Sequence, residues 1–147
     1  LRLAVPLVQL LYPSLLEADW VAYACGQSPP RHWPPRRVLV ASNPSGYLHG
    51  LCTLADGFDL QCGRTLDVDD LVVANFLDTR SVAQTLLAGI EDIARRGGYH
   101  EVRVNLADGN MPHRQAVADA LNIVGLVRTM ARFAKPRAQP LKPIVGP

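Results

Sequence analysis

The chain has 147 residues, 48% of them hydrophobic and 19% charged, with a formal net charge of +2. That size suits one globular core, and the apolar fraction excludes intrinsic disorder. A balance of 15 basic to 13 acidic residues is no nucleic-acid footprint, and no apolar run reaches the roughly 18 residues of a membrane-spanning helix.

Leu3 to Leu10 reads as a strand, followed by a short helix with Pro13 and Ser14 at its start and Gly26 as its stop. Arg2 ahead of this apolar run is similar to the opening of a secretory signal. Pro6 inside the run, with Glu17 and Asp19 before the small-residue Ala22-Tyr23-Ala24, argues against one. Ser28 to Arg37 holds four prolines around Trp33, which forbids a regular helix or a central strand and predicts a stiff loop. Arg37 to Ala41 is a predicted strand, Asn43-Pro44-Ser45-Gly46 a turn, and Tyr47 to Ala55 the partner strand of a hairpin. Alternation puts Tyr47, His49, Leu51 and Thr53 on one face and Leu48, Gly50, Cys52 and Leu54 on the other. Asp56-Gly57 signals the next turn. Leu66 to Leu77 is a long third strand, and its continuous apolar run Leu71 to Ala74 suits the centre of a sheet.

The period then changes. Val82, Leu86, Ile90 and Ile93 recur at helical spacing. Ser81 and Gln84 fit a capping box, Arg95-Arg96 suit the C-terminal end, and Gly97-Gly98 stop the helix. Val102, Val104 and Leu106 alternate as a strand. Asn110 and Pro112 open a second helix that Gly125 ends, and Leu126 to Phe133 is a last single strand. The expectation is one domain over residues 1–133 and a Pro-rich tail over 134–147. The fold class is α+β, with a mixed central sheet of about six to seven strands flanked by helices. Cys25, Cys52 and Cys62 lack metal-ligand spacing, so no metal site is expected, and reduced thiols point to the cytoplasm.

The segment Leu71 to Leu87, with Ala94-Arg95-Arg96-Gly97, Val102-Arg103-Val104 and Gly125-Leu126, resembles the GNAT superfamily of acyl-CoA-dependent N-acyltransferases over roughly residues 36 to 133. In that family a central strand runs into a loop of the form R/Q-x-x-G-x-G/A and a helix with a Leu-Leu pair. Aligning Leu86-Leu87 on that pair sets Ser81 and Ala83 at the two glycine positions and Asp78 at the usual basic or Gln position. Free backbone N–H groups at such a helix start cradle a pyrophosphate. The resemblance therefore implies acetyl-CoA, or another acyl-CoA, as co-substrate, with the pantetheine along Val73 to Asn75. The pyrophosphate would sit on Thr79, Arg80, Ser81, Val82, Ala83 and Gln84. It also implies an amine acceptor and acyl transfer to that amine. Leu121 stands where the family often carries a tyrosine that protonates the departing thiolate. That departure favours a second reading, the same fold binding acyl-CoA or a protein partner without turnover. A third is an unrelated α+β domain whose helix is merely well capped.

Acyl transfer to an amine benefits from a base within reach. Asp67, Asp69 and Asp70 enter the central strand, with Asp67 and Asp69 expected on one face and Asp70 on the other. No catalytic residue is assigned. Trp33, Tyr47, His49 and Asp69 are the candidates for a substrate pocket. Against them stand a Trp33 that clamps its loop to the core, a half-buried strand histidine, and a solvated acidic strand start. Asn105 and Asn110 flank a loop where the family often contacts CoA; turn capping is the alternative. An exposed sheet edge would allow a homodimer. No proline falls between Pro44 and Pro112, as regular ladders and a long helix require.

Overall fold

The computed structural model describes residues 1–27, 36–74, 78–106, 117–119, 127–129 and 132–134. The expectations for Trp33, Asn75, Asn110, Leu121 and the tail lie outside these residues.

The N-terminal strand expected over Leu3–Leu10 is instead helical. A 3-10 turn over Arg2–Ala4 runs into α1, Val5–Leu11. Ala4, Leu7, Val8 and Leu11 are buried while Leu3 and Leu10 are exposed, a spacing of three and four. Pro6 sits in the first turn, where a missing N–H costs nothing. The helical α2, Glu17–Ala24, buries Trp20, whose Nε1 donates to the Leu1 carbonyl at 3.1 Å and ties down the chain start.

β1, Arg37–Ser42, pairs antiparallel with β2, Leu48–Asp59, across the expected Asn43–Gly46 turn. Asn43 Oδ1 accepts from Tyr47 N at 3.0 Å and fixes that turn. Register slips between Ala41 and Ser42, so Leu48 packs in the α1/α2 cluster with Leu51 rather than facing the way of Cys52. Asp56-Gly57 does not turn. β2 continues to Asp59 and the chain reverses before β3, Gly63–Val73. Asp59 Oδ1 accepts from Gln61 N and Cys62 N and makes the turn, while Asp56 is held by Arg37 and the Tyr99 hydroxyl. Gly57 answers cross-strand crowding, since an added Cβ would run into Thr65 Oγ1.

α3, Thr79–Arg96, follows, with Ala83, Leu86, Leu87, Ile90 and Ala94 buried on one stripe. The expected N-cap Ser81 lies inside the first turn, and Asp78 caps instead. β4, Glu101–Asn105, lies parallel to β3 through Thr65–Val68 only. The single last strand expected over Leu126–Phe133 is two, β5 (Val127–Thr129) and β6 (Arg132–Ala134), paired antiparallel with each other. A period of two does not say where a strand doubles back. The described strands pair in the order β1-β2-β3-β4-β6-β5, a mixed sheet in an α+β fold.

Two clusters cover the sheet. Cys52, Leu54, Leu66, Val68, Leu71 and Val73 face α3, while Leu51 and Val72 face α1 and α2. No helix among the described residues is long and apolar enough to cross a membrane.

At Gly50, α3 packs close against the sheet. A Cβ there would lie 2.9 Å from both Leu86 Cδ1 and Val82 Cγ1, and 3.3 Å from the Val72 carbonyl. Gly50→Ala should therefore lower unfolding stability by about 1–3 kcal/mol, read as a lower urea midpoint with unchanged slope. An unchanged midpoint would show that α3 has room to move.

Candidate acceptor site

The central strand carries an irregularity that decides the site. Leu51 pairs with Val72 and Thr53 with Asp69, so Cys52 alone opposes Asp70 and Leu71. This is a β-bulge, and Asp70 takes φ +53°, the left-handed region that Asp tolerates better than most residues. Strict alternation would turn Asp70 toward α3 with Val68. The bulge cancels that step, so Asp69 and Asp70 both face α1 and α2. The expectation that Asp70 lies on the opposite face from Asp69 is thus corrected.

Three hydroxyls converge on Asp70. Tyr12 at the end of α1 donates to Oδ1 at 2.8 Å; Tyr23 of α2 and Thr53 of β2 donate to Oδ2 at 2.8 Å and 2.7 Å. Burial, reinforced by Asp70, pushes both tyrosine hydroxyls well above their ordinary pKa. Asp69 is held by Arg36, 2.6 Å from Oδ2, and by Asn105 Nδ2, 2.7 Å from Oδ1. Burial works against the Arg36 charge, and the Asp69 hydrogen bond together with the fields of Tyr23, Asp69 and Asp70 raises its pKa in spite of that. The guanidinium also lies 5.0 Å from the Tyr23 ring centroid. Asp69 fixes which way the Asn105 amide points, and this leaves Asn105 Oδ1 buried without a hydrogen-bond partner. The nearby Cys52 thiol is pushed up to about 12, by burial first and Asp70 second, so it stays protonated and is no nucleophile at neutral pH.

Asp69, Asp70 and the tyrosines, Arg36 and Asn105 that hold them line a cavity of about 610 Å³. Asp69, Asp70, Asn105 and Arg36 form one polar side. Val8, Leu15, Trp20 and Leu106 supply apolar wall, and Tyr12, Tyr23 and the exposed Asp19 complete it. The cavity lies where β3 continues past its last pairing with β4 at Val68.

Of the residues expected in a substrate pocket, Asp69 is in the cavity and Trp33 lies outside the described residues. Tyr47 is 70% exposed in the loop before β2, and His49 gives its backbone carbonyl to Ala74 N at 2.8 Å; neither lines the cavity. Among the residues expected to hold a cofactor, Val73 is buried at the end of β3. Thr79, Arg80, Ser81, Val82, Ala83 and Gln84 form the start of α3. There Asp78 Oδ1 accepts from Ser81 N at 3.0 Å, so a carboxylate already occupies part of that helix N-terminus. Thr85 Oγ1 donates back to the Ser81 carbonyl. No group of three or more His, Cys, Asp or Glu among the described residues is placed to hold a metal ion. Tyr12, Tyr23 and Arg36 were not anticipated. Three polar-tipped residues flanking a half-buried acidic pair were the available signal.

No family model matches the chain, and no curated protein does. Solved structures do. A ribosomal-protein-alanine N-acetyltransferase of Brucella melitensis superposes with a TM-score of 0.63 at 17% identity, over 86% of this chain and 85% of that one. The aminoglycoside 6'-N-acetyltransferase of Enterococcus faecium gives 0.58 at 14%, over 93% and 92%. An acetyltransferase of Trypanosoma brucei gives 0.55 at 15%, over 95% and 90%. The chain has the fold of these acetyltransferases, the GNAT fold that its sequence resembles.

The hydroxyl cluster has a spectroscopic consequence. A tyrosine whose pKa is raised by folding contributes stability that is complete below its unfolded value of roughly 10 and declines above it. Of the four tyrosines, Tyr12 and Tyr23 should ionise only well above pH 10, as a late rise in phenolate absorbance. The double variant Tyr12→Phe, Tyr23→Phe should lack that late phase. Its persistence would mean that the hydroxyls do not share Asp70.

Proposed function

We propose that the chain is an acyl-CoA-dependent N-acyltransferase, of acetyl groups in the first instance, whose acceptor amine enters the α1/α2 cavity. The observation that carries this is the bulge, which aims two adjacent carboxylates into a cavity beside the parting of β3 and β4. The gap between those strands fits a pantetheine arm near Val73. Bound acyl-CoA supplies a thioester whose C–S bond breaks as the C–N bond to the amine forms, its thiolate taking a proton from water. The attacking nitrogen must shed a proton as that bond forms; Asp70 receives it and passes it to the hydroxide left when water protonates the thiolate. Tyr12, Tyr23 and Thr53 hold Asp70 in place, and Arg36 and Asn105 hold Asp69. The three unpaired cysteines support a reducing, cytoplasmic setting.

Acetyl-CoA with a panel of primary amines should release free thiol. Asp70→Asn should lower kcat/KM by about 10²–10⁴-fold, the range for a lost general base. A fully active Asp70→Asn would move the base elsewhere.

Asp78 favours the second reading, a GNAT-fold module that binds acyl-CoA or a protein partner without turnover. Its carboxylate lies at the helix end where a pyrophosphate would rest on Thr79 to Gln84. Asp78→Gly keeps the cap geometry at a loss of only a few tenths of a kcal/mol and removes the charge. CoA affinity, by calorimetry, should then rise about tenfold, since two like charges at close range oppose each other by about 1 kcal/mol or more. Unchanged affinity would place the pyrophosphate elsewhere.

A further inference from the structure

The polar side of the cavity is short of one kind of group. Among the described residues, Asp19, Asp69 and Asp70 line the cavity and carry three formal negative charges, against the one positive charge of Arg36. That guanidinium is bound to Asp69 and lies over Tyr23. The Tyr12, Tyr23 and Thr53 hydroxyls and Asn105 Nδ2 point at the two inner carboxylates. What remains is acceptor capacity: spare lone pairs on Asp69 and Asp70, and the buried, unpartnered Asn105 Oδ1. An acceptor without a donor, in a region of net negative charge, is matched by a cationic N–H group. The apolar lining of Val8, Leu15 and Leu106 offers a cation nothing and an apolar body a matching surface. A volume of about 610 Å³ leaves room for a ring beside the ammonium.

We propose that this cavity selects an amphipathic primary amine. Its ammonium sits among Asp69, Asp70 and Asn105 Oδ1, and its apolar body lies along Val8, Leu15 and Leu106. The exposed Asp19 attracts the cation to the mouth. The proposal deepens the acyltransferase reading and rests on it for the identity of the cavity as the acceptor site. Binding itself does not depend on that reading.

The test uses the full chain without CoA. Phenethylamine is the probe. Its neutral counterpart 2-phenylethanol, its anionic counterpart 3-phenylpropionate and the polar cation spermidine are the controls, all followed by calorimetry. Phenethylamine should bind at least tenfold more tightly than each control, and more weakly as salt rises. Asp19→Asn should weaken phenethylamine severalfold and leave 2-phenylethanol unchanged. Asn105→Leu, which removes the orphan acceptor, should weaken it further, with Asn105→Asp restoring it. Equal binding of the alcohol would overturn the charge argument, stronger binding of spermidine would overturn the apolar wall, and absence of phenethylamine binding would overturn the proposal. Failure of the wider reading is distinct: phenethylamine would bind as described, yet acetyl-CoA would release no thiol with any amine.

Discussion

Four elements of the fold meet at one carboxylate. Asp70 on β3 accepts from Tyr12 at the end of α1, Tyr23 on α2 and Thr53 on β2. Without that convergence, α1 and α2 would lie on the sheet mainly through apolar contact, and such contact has no direction. The hydroxyls supply the direction. They also offset a backbone cost, because a non-glycine residue at φ +53° is strained by about 1–3 kcal/mol, an amount within reach of bonds to a charged acceptor at about 1.5–3 kcal/mol each. The bulge and the cavity are therefore one feature. A flat β3 would turn Asp70 into the α3 core, where Val68 and Leu71 leave a carboxylate no partner.

The other end of the same strands offers a contrast. There Arg103 lies 2.6 Å from Asp59 Oδ2 and 3.1 Å from Glu101 Oε2, and Cys62 Sγ donates to Glu101 at 2.7 Å. Arg103, with the Gln61 and Cys62 N–H groups, holds the Asp59 carboxyl well below the usual carboxylate range. Burial, then Glu101, pushes the Cys62 thiol up to about 11. This end is closed: one cation faces two carboxylates where β3 and β4 are still paired. At the Asp69 end that pairing has stopped, and the strands part around side chains whose acceptors outnumber their donors.

What was legible in the sequence is what local pattern decides. α3 could be read because its apolar period, its last-turn arginines and Gly97 agree with one another. The β1–β2 hairpin could be read from Asn43 to Gly46, whose chemistry makes a turn wherever it occurs. Asp69 was legible as a pocket residue by its place on a strand leading to an apolar run. The bulge was not, because two residues opposing one is a property of the pair of strands. A single missed step of that kind inverted the face of Asp70 and hid the roles of Tyr12 and Tyr23. Asp56-Gly57 misled for a similar reason: Gly57 was demanded by Thr65 across the ladder, a partner that lies eight positions further along the chain. α1 was misread because Val and Leu at Leu3 to Leu10 suit either period, and burial of Ala4, Leu7, Val8 and Leu11 by Trp20 and the sheet selected the helix.

The two halves of the proposed reaction are unequally built. The acceptor side has a cavity open to solvent, oriented carboxylates and an unmet hydrogen-bond acceptor. The donor side begins with a helix that carries its own anion at Asp78. Magnitudes decide how much that matters. An N-cap interaction is worth about 0.5–2 kcal/mol, so surrendering it would weaken a ligand's affinity by roughly 2- to 30-fold. Asp78 is exposed and can rotate its carboxylate into water, which removes most of the repulsion once the cap is broken. A cap of that size makes the donor side weaker without closing it. On the proposed reading, Asp78 loosens the hold on an acyl donor without abolishing it.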